Sequence, residues 1–185
     1  MKHLARLRMT NAVLAAAMIV LFAMHGVGNS FELFGVGMPT SKMLARAVAT
    51  LAVVHAVLGV VLTLATVRAQ RKAGVSYVRL NKRFWAIRLS GLALAVFVVF
   101  HMMTFLQVGG GAYRLREFGG FELATNLGLV LCMAVHVLCS ARPLAISLGI
   151  NAPRSRAADL VFALSLVLLV TAAAFVVYYL RWDVI

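Results

Sequence analysis

The stretch that decides the fold of this chain is residues 85–108, WAIRLSGLALAVFVVFHMMTFLQV. Its titratable side chains are Arg88 near one end and His101 near the other. A helix needs about 20 apolar residues to cross the core of a bilayer, and lipid offers the backbone no hydrogen-bond partner. The stretch therefore predicts an α-helix that spans a membrane.

Four more stretches of the same kind surround it. The five together cover about residues 10–30, 43–67, 85–108, 122–141 and 157–180. None shows the alternating pattern of a membrane barrel strand. The sequence therefore predicts an all-α membrane protein with five transmembrane helices, in a single domain over residues 1–185.

The composition excludes several classes of protein. Hydrophobic residues make up 63% of the chain and charged residues only 12%, with a mean hydropathy of +0.98. Soluble domains are about half apolar and about a quarter charged, so a soluble enzyme, a disordered protein and a nucleic-acid-binding domain are excluded. Cys132 and Cys139 are too few for a disulfide framework and form no CxxC motif.

The chain has a net charge of +13, and the uneven distribution of its basic residues along the sequence predicts the topology. With a cytoplasmic N-terminus, 13 of the 18 Lys and Arg residues lie inside, and seven of these fall within residues 68–88. This bias predicts a multi-pass protein of the cytoplasmic (inner) membrane whose C-terminus is outside. The basic 68–88 segment is either a docking surface or a solvated loop that only sets the topology.

Histidines give the clearest functional signal. His25, His55, His101 and His136 fall one on each of the first four spans, whereas His3 lies in the N-terminal tail. Ionisable residues inside a membrane are costly and usually functional. One such histidine could simply bond a neighbouring helix, but four with this distribution predict a site.

The depths of these histidines favour two sites. His25 is 17 residues from Arg8 and His136 is six from Arg142, which places them roughly 26 Å and 9 Å from the inner flanking charges. The other two lie roughly 20 Å deep. An outer and an inner pair therefore fit better than one tetrahedral zinc site.

Paired histidines on facing helices can supply both axial ligands of a haem, which favours electron transfer over oxygen binding. A haem in a helix bundle also needs small residues nearby. By spacing, Gly59 is assigned to the face of His55, Gly91 to that of His101, and Gly128 to that of His136. Ordinary packing of small residues is the alternative role for these glycines.

Several motifs match one family. Span one contains Arg8-Met9-Thr10-Asn11 before His25, span three contains Arg88-Leu89-Ser90-Gly91 before Phe100-His101, and His136 is followed by Ser140 and Ser147-Leu148-Gly149. With its four histidines on successive spans, the chain resembles the dihaem cytochrome b membrane anchor of succinate dehydrogenase and fumarate reductase. The family commonly has Gly where Asn11 stands.

The resemblance implies a fold and a function. Four helices would form a haem-binding bundle with a peripheral fifth, and two haem b groups would be bound. His25 and His101 would be the iron ligands of the distal haem, and His55 and His136 those of the proximal haem. The chain would anchor a flavoprotein and an iron–sulfur subunit on the cytoplasmic face and pass electrons between them and a quinone, expected to be menaquinone. It would not itself transform the dicarboxylate, and either succinate oxidation or fumarate reduction remains open.

Weaker signals extend the predicted sites. By position, Arg46, Arg88 and Ser90 are candidates to bind a haem propionate or a quinone, although arginines near span ends also serve topology. Glu32, seven residues after His25, is a candidate for a distal quinone site or a solvated loop carboxylate. Two other functions stay open: a dihaem cytochrome b of another quinone-linked complex, and a haem-free transporter or scaffold that uses its histidines for protons or metal.

Overall fold

The fold is entirely helical over the residues that the computed structural model describes, which are 2–36, 42–74, 81–105, 118–150 and 154–183. In these ranges the chain forms α1 (Lys2–Leu33), α2 (Lys42–Lys72), α3 (Lys82–Phe105), α4 (Gly120–Ser147) and α5 (Arg154–Asp183). Each helix is long and apolar enough to cross a membrane. The predicted all-α architecture with five membrane-spanning helices is confirmed.

Four of the five helices are longer than the apolar stretches that predicted them. α1 begins at Lys2 rather than near residue 10, and α2 continues to Lys72 rather than ending near residue 67. The apolar pattern marks only the part that matches the bilayer core, whereas helical hydrogen bonding continues into the charged flanks. Residues 106–108 of the third predicted span lie outside the described ranges.

α4 continues past the point where its apolar run stops, although Pro143 lies inside it. Proline has no N–H, so the carbonyl four residues earlier loses its helical donor. That carbonyl belongs to Cys139, and the Arg83 Nε–H of α3 donates to it over 2.7 Å. An interhelical bond thus replaces the missing one and joins α3 to α4.

Glycines in the left-handed conformation follow three of the helices: Gly74 (φ 66°) follows α2, and the glycines after α1 and α4 share one capping pattern. Gly35 (φ 80°) follows α1 and Gly149 (φ 71°) follows α4, a backbone state that side chains disfavour. In both cases the residue after the glycine donates its N–H to the carbonyl five residues before it. This Schellman pattern satisfies carbonyls that the helix end would otherwise leave unpaired.

The bundle consists of two helical hairpins and a fifth helix that packs on both. α1 packs on α2, α3 packs closely on α4, and α5 lies against α1 and α4. Near the ends of α3 and α5, the rings of Phe105 and Phe175 lie 6.3 Å apart between centroids. We call the end where α1, α3 and α5 finish the upper end, and the opposite end the lower end.

α5 carries no paired histidine, yet it contributes more to the interior than a peripheral helix implies. Its Ala174 and Phe175 are buried, and Phe175 stacks on Phe118 at the upper end with ring planes 9° apart. On α1, Gly26 leaves room for Thr171 of α5, whose hydroxyl would be 3.2 Å from a Cβ at that glycine. The fifth helix therefore holds the two hairpins together at the upper end.

Glycine contacts predict how the α3–α4 interface responds to added volume. A Cβ at Gly128 would be 2.7 Å from the Phe97 ring, whereas a Cβ at Gly59 would have no atom within 4 Å. We expect Gly128→Val to destabilise the fold by about 1–3 kcal/mol because the interface is overpacked. Thermal unfolding in detergent measures the effect, and Gly59→Val controls for the intrinsic helix cost of valine. Equal shifts in the two variants would contradict this packing.

Candidate functional site

The structure brings the four membrane histidines together as two pairs. His25 of α1 faces His101 of α3, and His55 of α2 faces His136 of α4. Both pairs have ring centroids 6.3 Å apart, with ring planes at 79° and 87° to each other. Within the described ranges, no three His, Cys, Asp or Glu side chains gather as a metal-binding group. The arrangement is therefore two separate two-histidine sites.

Each pair reaches across a gap between helices. Among the described residues, no Cα atom of α1 lies within 8 Å of one in α3, and the same holds for α2 and α4. The paired rings therefore approach each other although their helices do not pack together. Such a gap leaves space for a group held between the rings.

The ring separation matches two ligands on one metal ion. A metal–nitrogen bond to imidazole is about 2 Å long and the ring centre lies about 1 Å behind the nitrogen, so two rings on opposite sides of one ion have centres about 6 Å apart. Both observed separations are 6.3 Å. The two pairs therefore fit bis-histidine coordination.

The two pairs lie at different levels of the bundle. A Cβ on Gly91 would be 3.1 Å from Cε1 of His136, so the lower ring lies level with Gly91. His101 is ten residues further along α3, which separates the levels by roughly 15 Å. We call His25 and His101 the upper pair and His55 and His136 the lower pair.

His101 is fixed by a buried amide. Asn126 of α4 is fully buried, and its Nδ2–H donates to the Glu122 carbonyl over 2.8 Å. Its Oδ1 must then face His101, whose Nδ1 lies 2.8 Å away. Since Oδ1 can only accept, Nδ1 of His101 carries the proton and Nε2 keeps its lone pair.

A carbonyl fixes His136 in the same tautomer. Nδ1 of His136 lies 3.0 Å from the carbonyl oxygen of Ile87 on α3, which can only accept. The hydroxyl of Ser90 lies 3.3 Å from the same nitrogen and itself donates to the Ala86 carbonyl. Both histidines of the α3–α4 hairpin thus have an N–H acceptor of the kind that orients metal-binding histidines.

The histidines of the α1–α2 hairpin have different surroundings. The Asn29 Nδ2 donates to the His25 carbonyl over 2.7 Å and also lies 3.0 Å from Nδ1 of the His25 ring. His25 therefore faces a donor. Nδ1 of His55 is buried without a hydrogen-bond partner, whereas the Asn11 main chain lies within hydrogen-bonding range of this ring.

Unpaired polar atoms gather around the lower pair. Arg88 lies within electrostatic range of both His55 and His136, and its Nε is buried without a hydrogen-bond partner. Oδ1 of Asn11 is buried and unpaired as well. Unsatisfied buried polar groups are costly, and a guanidinium here suits a bound anion such as a haem propionate.

The other predicted residues are less closely tied to the pairs. Ser90 lies beside the lower pair, whereas Arg46 is exposed on α2. Glu32 is half-buried at the upper end, within electrostatic range of Tyr178, which also interacts with Arg181 of α5. The structure therefore places Glu32 in a polar group at the end of the bundle nearer the upper pair.

Two of the three glycines contact residues other than the histidines to which spacing assigned them. Gly91 contacts His136, and Gly128 contacts Phe97. Gly59, on the helix of His55, has open space around it. For Gly91 and Gly128, contacts across the α3–α4 interface decide these neighbours, whereas the assignment of Gly59 to the face of His55 stays a prediction. In the basic 68–88 segment, residues 75–80 lie outside the described ranges.

Sequence reasoning missed the three asparagines near the histidines. Asn29 follows His25 by four residues, a spacing that alone predicts contact on a helix. Asn126 and Asn11 have no such signal because their contacts depend on how helices pack. Comparison with protein-family models, with characterised proteins and with solved structures finds no match to this chain.

Chemical crosslinking can test the pairing without any cofactor. In a chain carrying Cys132→Ala and Cys139→Ala, we expect His25→Cys with His101→Cys to crosslink through a short bifunctional thiol reagent. The matched His25→Cys with His136→Cys variant should not, because its residues lie at different levels. Mass spectrometry identifies the products, and equal crosslinking of both variants would contradict the two-level arrangement.

Proposed function

We propose that this chain is a membrane electron-transfer subunit that binds two haem b groups, one at each histidine pair. The observation that carries the proposal is the equal 6.3 Å separation of two histidine pairs at two levels. Bound haem would supply reversible one-electron transfer by its iron. The four histidines would hold the two irons, with His25 and His101 above and His55 and His136 below.

The polar surroundings support different roles for the two levels. At the lower pair, Arg88 and Asn11 offer buried atoms that lack partners, which suits the propionates of a haem. At the upper pair, Phe105 and Phe175 lie 5.0 and 6.3 Å from the His101 ring between centroids. An apolar site excludes water and lowers the local dielectric, both of which affect the redox potential.

We further propose that the lower end is cytoplasmic and docks an iron–sulfur subunit with its flavoprotein, as in succinate dehydrogenase and fumarate reductase. The distribution of basic residues supports this orientation. Arg68, Arg71 and Lys72 lie at the lower end of α2, 13 to 17 residues beyond His55. Electrons would pass between that partner and the upper pair through the lower one.

A quinone would exchange electrons near the upper end. Glu32 and Tyr178 lie there within electrostatic range of each other. A carboxylate can accept the proton that a quinol loses on oxidation, or supply one when the quinone is reduced. This placement supports Glu32 as the candidate quinone residue.

The purified protein should carry about two haems per chain and show a b-type reduced-minus-oxidised spectrum. We expect His→Ala at either member of a pair to perturb one haem signal and leave the other unchanged. His3→Ala, at the exposed N-terminal end of α1, is the control. Pyridine haemochrome analysis and redox titration measure these effects. A colourless protein would contradict the proposal and favour a haem-free transporter, and the subunits that co-purify identify the redox complex.

Arg88 gives a prediction with a defined sign. A nearby cation stabilises the reduced haem, which carries one more electron, so Arg88→Gln should lower the midpoint potential of the lower haem. Arg88→Lys should largely preserve it, and Arg68→Gln, an exposed cation on α2, is the control. The measurement is a spectroscopic redox titration. An unchanged lower potential, or a change confined to the upper haem, would refute the assignment of Arg88.

A further inference from the structure

The two histidines within each pair are not equivalent. We propose that His101 and His136, on the α3–α4 hairpin, are the anchoring ligands that retain the haem, and that His25 and His55 complete the coordination from the α1–α2 hairpin. The inference rests on the proposed function and adds which histidine of each pair retains the haem. It also assigns Asn126 as a positioning residue.

The first argument is the protonation of the rings. His101 and His136 each have Nδ1 beside an oxygen that only accepts, at 2.8 Å from Asn126 and 3.0 Å from Ile87. Their Nε2 lone pairs are therefore available before any metal binds. The oxygen contact also increases the basicity of the ligand nitrogen.

Among the described residues, the partner histidines, His25 and His55, have no acceptor oxygen at Nδ1. The Asn29 amide nitrogen lies 3.0 Å from Nδ1 and 3.5 Å from Nε2 of His25, so the nearby group is a donor. A His25 ring that binds metal must compete with this amide for the same lone pair. Nδ1 of His55 has no hydrogen-bond partner, and the group near this ring is the Asn11 main chain, within hydrogen-bonding range of the imidazole.

The second argument is the packing of the two hairpins. α3 and α4 are joined by the bond between Arg83 and the Cys139 carbonyl, by Phe97 against Gly128, and by His136 against Gly91. α2 packs mainly on α1 and only slightly on α3. The α3–α4 hairpin is thus a closely packed wall with two oriented ligands, and α2, which carries His55, is less closely held against it.

The experiment compares the members of each pair in the full chain. The His25→Ala and His55→Ala variants, each carrying one substitution, should still yield about two haems per chain. In each, one haem should be five-coordinate and high-spin because one axial ligand remains. Expression of His101→Ala and His136→Ala should yield about one. Haem stoichiometry and electron paramagnetic resonance give the readouts, and circular dichroism establishes that each variant is folded.

The outcomes separate this inference from the proposed function. A wild-type protein without haem would overturn both. If the wild type holds two haems, and substitution of either member of a pair loses haem equally or substitution of His25 and His55 loses more, only the assignment of His101 and His136 as anchoring ligands is overturned. A variant that fails to fold is replaced by a His→Gln variant at the same position, with the same comparison.

Asn126 provides a second test that does not remove a ligand. Asn126→Leu has a similar volume but offers His101 no acceptor, so the midpoint potential of the upper haem should rise as the ligand becomes less basic. Asn126→Asp retains an acceptor oxygen and should restore the lower value. If Asn126 only fills space, Asn126→Leu leaves the upper potential unchanged, which would overturn its positioning role.

Discussion

Each imidazole ring inside this bundle must find partners for one donor and one acceptor, because the lipid around it offers none. Much of the interior is arranged around that requirement. α3 supplies the Ile87 carbonyl for a histidine of α4, and α4 supplies Asn126 for a histidine of α3. These reciprocal contacts tie the two helices together at two levels. Nε2 of these two histidines is the part of the requirement that the described chain leaves for another group.

The overall fold could be predicted from the sequence because a helix that crosses a bilayer is recognised by its length and composition alone. Length, apolarity and the position of basic residues identify five spans without any knowledge of packing. The ends of the helices were less predictable. α4 passes through Pro143 because Arg83, sixty positions earlier, supplies the donor that proline lacks. No local signal around the proline indicates this.

In the candidate site, too, some features follow from sequence position and others depend on helix packing. The four histidines and the ranking of their depths follow from sequence position, with His25 outermost and His136 innermost, whereas the rise of each helix gives His55 and His101 the same depth and does not decide the pairs. Which residues surround them depends on the rotation of each helix about its axis, and the apolar surface of a membrane helix gives little indication of that. Gly91 illustrates the limit: ten residues from His101 on its own helix, it contacts the histidine of a different one.

The bond from Arg83 to the Cys139 carbonyl also affects how the lower end would meet another protein. A long basic side chain on a surface normally loses rotamer freedom when it binds, and this loss weakens the complex. Arg83 is already held against α4, three residues from His136. Its guanidinium therefore forms a fixed positive charge near the lower histidine pair, and an acidic partner could contact it at a smaller entropic cost than the free side chains of the same segment.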